Sequence, residues 1–308
     1  MSTSNKDKGI IMKKIAVGII LVLGLTTLQP ASANIPKSIV IIDTAIDSTL
    51  PQFSGKLVQE VCIVTGGVCP NGAKFQEGPG AATLPKEQAY RNNFDHGTIM
   101  SLIANQVNPD VNIIFIRIAG INPRTGGMLT FSATEVKLAL DWVIANKSKY
   151  NVVSVSSSVG THVLNPGANY CPIRATHSSL IANINKLISL EVPTMFASGN
   201  NGNISRVDFP ACIPAAIAVS GSDFNVDDKN FIGTWSNGGP DADFYALGVY
   251  TTPVKRAIGT SAATAAFSAY WAKNHKGTYR STFDYMRSIT SPIKNARTST
   301  TLFVDVLK

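Results

Sequence analysis

Gly259-Thr260-Ser261 opens a run of small residues, Ala262-Ala263-Thr264-Ala265-Ala266, that is long enough to be a helix. A serine at a helix start keeps its hydroxyl free, and its backbone N–H has no acceptor within the helix. The helix dipole adds about half a positive charge there. Such a position suits a nucleophile whose attack creates an oxyanion. Three residues that precede it fit the same chemistry. Asp43 follows the apolar run Ser38 to Ile42, where it can accept a hydrogen bond from one histidine ring nitrogen and fix the tautomer. His96, followed directly by Gly97, is the candidate general base. Asn200, in Ser198-Gly199-Asn200-Asn201-Gly202, offers a side-chain amide to the oxyanion. Losing such a donor typically raises the barrier by about 2.7–4 kcal/mol.

Taken singly, each has a blander reading. Asp43 is a turn former, His96 a helix-start residue with local bonds, and Asn200 part of a plain turn. Together they fall in the order Asp, His, Asn, Ser. Among the other histidines, His162 follows a strand and competes for the role of base. His177 reads as a surface residue and His275 as part of a solvated helix end. Asp47 reads as a turn residue. Asp95 is not expected to orient His96, because sequence neighbours at a helix start diverge.

The elements that must position these groups alternate. Continuous apolar runs at Ser38–Ile42, Asn112–Ile118, Asn151–Ser156, Pro193–Ala197 and Ala215–Ser220 suit strands buried on both faces. Helical patterns lie over His96–Val107, Ser132–Asn146, Ser178–Leu190 and Ser261–Asn274. Ser132-Ala133-Thr134-Glu135 reads as a capping box. The alanine-rich last helix is apolar on nearly all sides, which predicts burial. This alternation predicts an α/β fold with a mostly parallel sheet. Sites in such sheets form outside the carboxyl ends of the strands, where Asp43 and the Ser198-Gly199-Asn200 segment fall.

The chain has 308 residues, 44% of them hydrophobic, enough for one large domain or two small ones. Lys13-Lys14 precede the apolar run Ile15–Leu25, and Pro30-Ala31-Ser32-Ala33 follows. This reads as a secretory signal over 1–33 cleaved after Ala33. The run is shorter than the roughly 20 residues needed to span a bilayer, so an exported protein without stable membrane insertion is expected. The net charge is +8, and the expected signal carries four of the lysines. No Lys/Arg cluster interleaved with aromatics is present, so nucleic acid is not an expected partner. Four cysteines fit an oxidising compartment. Of the pairings open to them we favour Cys62–Cys69, which is local and glycine-flanked, with Cys171–Cys212. No Cys-x-x-Cys and no histidine at ligand spacing is present, so a zinc site is not expected. A nucleotide-binding domain would need a glycine-rich turn after the first strand, and Thr44-Ala45-Ile46-Asp47 has none.

Read as motifs, these segments resemble the subtilisin-like serine proteases, the subtilase or peptidase S8 family. Ile41-Ile42-Asp43-Thr44-Ala45-Ile46-Asp47 resembles the family's Asp motif, with Ala45 where glycine is usual. His96-Gly97-Thr98 resembles its His motif, with Asp95 where glycine is typical. Ser198-Gly199-Asn200-Asn201-Gly202 resembles the oxyanion motif. Gly259-Thr260-Ser261-Ala262-Ala263-Thr264-Ala265 resembles Gly-Thr-Ser-Met-Ala-Ser-Pro. The resemblance runs from about Ser38 to the C-terminus. It implies a three-layer subtilisin-like peptidase domain over 34–308, with helices on both faces of the sheet. It also implies peptide hydrolysis by a triad of Asp43, His96 and Ser261, with Asn200 in the oxyanion hole. Asn151–Gly160 resembles the strand that pairs with extended substrate, which places Ser156, Ser157 and Ser158 beside the first specificity pocket. Asp208-Phe209-Pro210-Ala211 resembles a segment with a cis proline.

The departures at Asp95, Ala262 and Ala265 carry the alternative reading, a catalytically impaired binding protein on the same fold. Asp95 places a negative charge beside the base, which favours a protonated imidazole if its carboxylate points that way. Only Asn34-Ile35-Pro36-Lys37 separates the expected cleavage site from the first strand, so no propeptide is expected in this sequence. The chain is then expected to fold without one, or with an inhibitor or folding helper acting in trans. The family's usual calcium ligands have no match after Asp47, and no cofactor is expected. The expected partners are protein or peptide substrates, and the expected state is a monomer.

Overall fold

A computed structural model describes Met1 and residues 35–308, apart from 123, 130–131, 161–170, 172–174, 226–227 and 294–300. The expected signal therefore lies, Met1 aside, outside the described residues. The strands are β1 (Ser38–Asp43), β2 (Leu57–Ile63), β3 (Phe75–Glu77), β4 (Asn112–Arg117), β5 (Val152–Ser157), β6 (Thr194–Ala197), β7 (Ile217–Asn225), β8 (Asp228–Ile232), β9 (Phe244–Leu247), β10 (Val249–Thr251), β11 (Arg256–Ile258), β12 (Ser291–Pro292) and β13 (Thr301–Val304). The α-helices are α1 (Lys86–Ala89), α2 (His96–Val107), α3 (Ala133–Asn146), α4 (Ser178–Ser189), α5 (Thr260–Lys273) and α6 (Tyr279–Ser288).

One sheet runs in the order β12-β13-β9-β7-β6-β5-β1-β4-β2-β3, with β8 paired to β7. From β13 to β2 every neighbouring pair is parallel, and β12, β3 and β8 join antiparallel. β1 is buried along its whole length and its side chains alternate. Ile39 and Ile41 point into a core with Ile99 and Leu102 of α2 and Phe267 and Trp271 of α5. Val40 and Ile42 point into a second core with Val136 and Leu140 of α3 and Leu180 and Ile184 of α4. The result is three layers, with helices on both faces. Burying each such side chain contributes about 1.5–3 kcal/mol. Ser132 caps α3 with the expected capping box.

β1 lies between β4 and β5, where the strand order reverses, and Asp43 is its last residue. That carboxyl end is where an open α/β sheet leaves a crevice. The strand expected from Asn151 starts one residue later, because Asn151 takes a positive φ of 49°, outside the extended region. It also continues through Ser157. Of the parallel strands the sequence reading lacks β2, β9 and β13. β2 hides behind a buried Glu60 whose carboxylate accepts bonds from the Gly80 and Ala82 N–H groups at 2.9 and 3.1 Å. The other two have only four residues each. The disulfides join Cys62 to Cys69 and Cys171 to Cys212, with Cα separations of 5.9 and 5.7 Å. The Phe209–Pro210 peptide is cis.

Candidate active site

The site forms where the end of β1 meets the starts of α2 and α5. Asp43 is 4% exposed. Its two carboxylate oxygens lie 2.8 and 2.9 Å from His96 Nδ1, so Nδ1–H donates and Nε2 is left for chemistry. The Thr44 N–H donates to Asp43 Oδ1 at 2.7 Å and holds the carboxylate in place. His96 is the first residue of α2. Thr44 fixes that start from both sides, its Oγ1 donating to Phe94 O and accepting from the Gly97 N–H. Gly97 is required by packing: a Cβ there would lie 2.4 Å from Phe115 Cζ and 2.5 Å from Ala45 O. The close approach that glycine permits is therefore to the backbone after Asp43.

Ser261 is the second residue of α5. Every residue from Thr260 to Ala272 is buried except Ser261, which is half-buried. The preceding Gly259 takes φ 152°, and a Cβ there would press on the Asn200 amide at 3.3 Å. Asn200 Oδ1 accepts from the Thr260 N–H at 2.9 Å and from Thr260 Oγ1 at 3.0 Å. The amide carbonyl is thus held against the helix start, and Nδ2 is left as the donor for an incoming oxygen. Asp43, His96, Asn200 and Ser261 line one cavity of about 420 Å³. Met100, Met128 and Ile258 make part of its wall apolar, and Lys255 and Arg256 add positive charge.

Burial works against a charged His96. The Asp43 carboxylate and its hydrogen bond outweigh that effect, Asp95 adds to them, and Lys255 opposes, so the pKa of His96 is raised above the ordinary histidine value of 6.5. Asp95 does not orient His96. Its carboxylate pairs with Lys255 Nζ at 2.7 Å.

Two of the three serines expected beside the specificity pocket do not line this cavity. Ser156 and Ser157 are 1% and 0% exposed and lie inside β5, between β1 and β6. Ser158, just past the strand, lines the cavity with Val159. The reason is the strand end: β5 keeps Ser157 in the sheet, so the chain first opens onto the cavity one residue later. His162, the competing base, lies outside the described residues. His177 stacks on Phe209 with ring centroids 4.4 Å apart. His275 is not fully solvated, because its Nε2 is buried. Asp47 makes the expected turn, accepting from the Thr49 N–H and Oγ1. Among the described residues no group of three or more His, Cys, Asp or Glu is placed to hold a metal ion.

Sequence reasoning missed the supports. Asn237 is 1% exposed. Its Oδ1 accepts from the Asn201 and Asn203 N–H groups and its Nδ2 donates to Ser198 O, which shapes the loop presenting Asn200. In Ser236-Asn237-Gly238-Gly239 it looks like one more turn residue, and no local signal marks it.

A model of the subtilase family (peptidase S8) matches residues 37–287. The minor extracellular protease Epr of Bacillus subtilis strain 168 is 23% identical over 235 residues, 71% of this chain and 32% of that protein. The chain thus spans about a third of the length of this curated relative. The crystal structure of a lanthipeptide protease is similar at a TM-score of 0.60 and 16% identity, covering 88% of this chain and 85% of that one. A cold-adapted subtilisin-like serine proteinase is similar at 0.59 and 18% identity, covering 88% and 89%. These structural likenesses show the fold, and the match of the family model over most of the sequence shows the descent: the chain belongs to the subtilase family.

Proposed function

We propose that this protein is an exported serine endopeptidase that hydrolyses peptide bonds in extended or unfolded protein segments through an acyl-enzyme on Ser261. The observation that carries the reading is the convergence of a carboxylate-bound His96, a half-buried Ser261 and an oriented Asn200 on one cavity. Ser261 Oγ attacks the scissile carbonyl. His96 Nε2 takes its proton and returns it to the leaving amine. Asp43 keeps the ring in the required tautomer and stabilises the imidazolium. Asn200 Nδ2 and the Ser261 N–H hold the oxyanion, and each such donor is worth about 2.7–4 kcal/mol in the transition state. Water then attacks the acyl-enzyme with His96 as base, which releases the acid product.

The substrate binds as an added strand near Ser158. The cavity of about 420 Å³ beside Ser261 leaves room for side chains of such a segment. Export rests on the amino-terminal signal pattern, on the two disulfides, and on a relative whose name describes an extracellular protease. Among the described residues no helix is long and apolar enough to cross a membrane. The protein acts as a monomer on protein or peptide substrates.

The test is cleavage of a permanently unfolded protein by wild type and by His96→Ala, with sequencing of the products. Internal cleavage by wild type that is lost in the variant is expected. A folded wild type that leaves the substrate intact overturns the reading, and release of terminal residues alone overturns the endopeptidase part of it.

A further inference from the structure

Asp95 is the N-cap residue of α2, yet its side chain accepts no bond from that helix's own N–H groups. Its carboxylate, only 7% exposed, is held by Lys255 Nζ at 2.7 Å. Lys255 comes from a different part of the chain. It ends the tight turn of the β10–β11 hairpin, where Thr252 Oγ1 donates to Lys255 O at 2.8 Å and Thr252 N–H to the same oxygen at 3.2 Å. From Lys255 the chain runs through β11 and Gly259 directly into Ser261. One partner of the ion pair is thus the neighbour of the base, and the other stands at the head of the strand that delivers the nucleophile.

The charged groups around His96 are few. Asp43 faces it from β1, Asp95 from its own helix start, and Lys255 from the hairpin. Arg256 lines the same cavity. A carboxylate buried as deeply as Asp95 needs a partner, and its own helix does not supply one. Lys255 supplies it from the solvent side, with its side chain 48% exposed.

We propose that Asp95 and Lys255 form a positioning pair, which ties the start of the base's helix to the hairpin that carries the nucleophile, and that Lys255 neutralises a carboxylate otherwise uncompensated beside His96. Neither residue touches the reacting atoms; both act through His96 and Ser261. The consequence for catalysis rests on the serine-peptidase reading above. The consequence for the His96 proton does not. Only the neutral imidazole can take the Ser261 proton, so activity rises with pH through the His96 titration, and the acid limb of kcat/KM reports it in the free enzyme. Removing Lys255 leaves Asp95 acting alone and moves that limb to higher pH. Removing the Asp95 charge moves it to lower pH.

Two measurements test the pair. The ring signals of His96 in isotope-labelled protein, assigned by their loss in His96→Gln, give its titration by NMR with no need for turnover. Lys255→Met shifts the titration to higher pH, Asp95→Asn shifts it to lower pH, the double variant falls between them, and Lys255→Arg restores the wild-type curve. The acid limb of kcat/KM moves in the same directions. In Lys255→Met, kcat falls on the plateau above the limb while KM changes little. A purely structural pair would lower activity at every pH and leave both curves in place, and that result overturns the proposal, as does a shift of both single variants in one direction. If the NMR shifts follow the proposal but no variant, wild type included, cleaves the unfolded protein, the peptidase reading fails and the pairing stands. If cleavage is present and the limb does not move, the pairing fails and the peptidase reading stands.

Discussion

The two halves of the site hold their reacting groups by different means. On the His96 side the hold is ionic: a 4% exposed Asp43 carboxylate faces Nδ1 at 2.8 Å, and a second ion pair, Asp95–Lys255, stands beside it. On the Ser261 side the direct hold on Asn200 is neutral. Asn200 itself is set by Thr260 through amide, hydroxyl and backbone groups, and the loop around it by Asn237 and Ser198, with one carboxylate, Asp208, accepting from the neighbouring Asn201 amide at 3.0 Å. Under the proposed function the difference follows from what each half must do. His96 must take and return a proton, so the charges around it set its readiness. Asn200 must present a fixed dipole to a charge that exists only in transit, and a dipole that needs no reorganisation stabilises it best. The pH dependence of the proposed catalysis then belongs to the ionic half and the sensitivity to position to the neutral half.

The largest effect should come from breaking the ionic half. Asp43→Asn keeps the shape but lets His96 present the wrong tautomer, which should lower kcat on the order of 10⁴-fold with little change in KM. Steady-state kinetics over a pH series checks this, and a loss of only a few-fold would show that Asp43 does not set the tautomer. The wild-type curve should carry an acid limb above the usual histidine range, because Asp43 and Asp95 outweigh burial and Lys255 in favouring the protonated ring. Breaking the neutral half should cost less and look different. Asn200→Ala should lower kcat roughly 10²- to 10³-fold and leave the acid limb where it was. A shifted limb would mean that the two halves are not electrostatically separate. The smallest effect should come from loosening rather than removing the donor. Thr260→Val takes away one of the two bonds that orient the Asn200 amide, together with the acceptor of the Gly199 N–H at 3.2 Å. Each lost neutral hydrogen bond is worth about 1 kcal/mol, so kcat should fall about fivefold to thirtyfold, again with no movement of the limb.

How much of this was legible depends on where a residue sits. Asp43 ends an unbroken apolar strand, His96 starts a helix, and Ser261 follows a glycine into a run of alanines. Each stands at a boundary that hydrophobic patterning marks, and the order of the four motifs did the rest. Position within a strand end was less secure. A strand closed one residue early placed Ser157 on the rim, while the actual β5 keeps it buried and leaves Ser158 to line the cavity. The supports were not legible at all. Thr260 meets Asn200 across 60 residues of sequence and Asn237 meets Ser198 across 39. Asp95 finds Lys255 only because α2 and the β10–β11 hairpin converge. Such bonds depend on tertiary approach, and an asparagine in a turn or a lysine in a hairpin carries no local sign of its partner. The strand β2 was missed for a related reason, because its buried Glu60 is satisfied by N–H groups that a linear reading does not bring near.

The central claim is that the ionic and neutral halves together make Ser261 a nucleophile. Labelling of the folded protein with a fluorophosphonate, read as intact mass and mapped by peptide sequencing, tests it most directly. A single adduct on Ser261 is expected in wild type, with none in Ser261→Ala and much slower labelling in Asp43→Asn. A folded wild-type protein that takes up no label, or takes it up equally in Ser261→Ala, would contradict it.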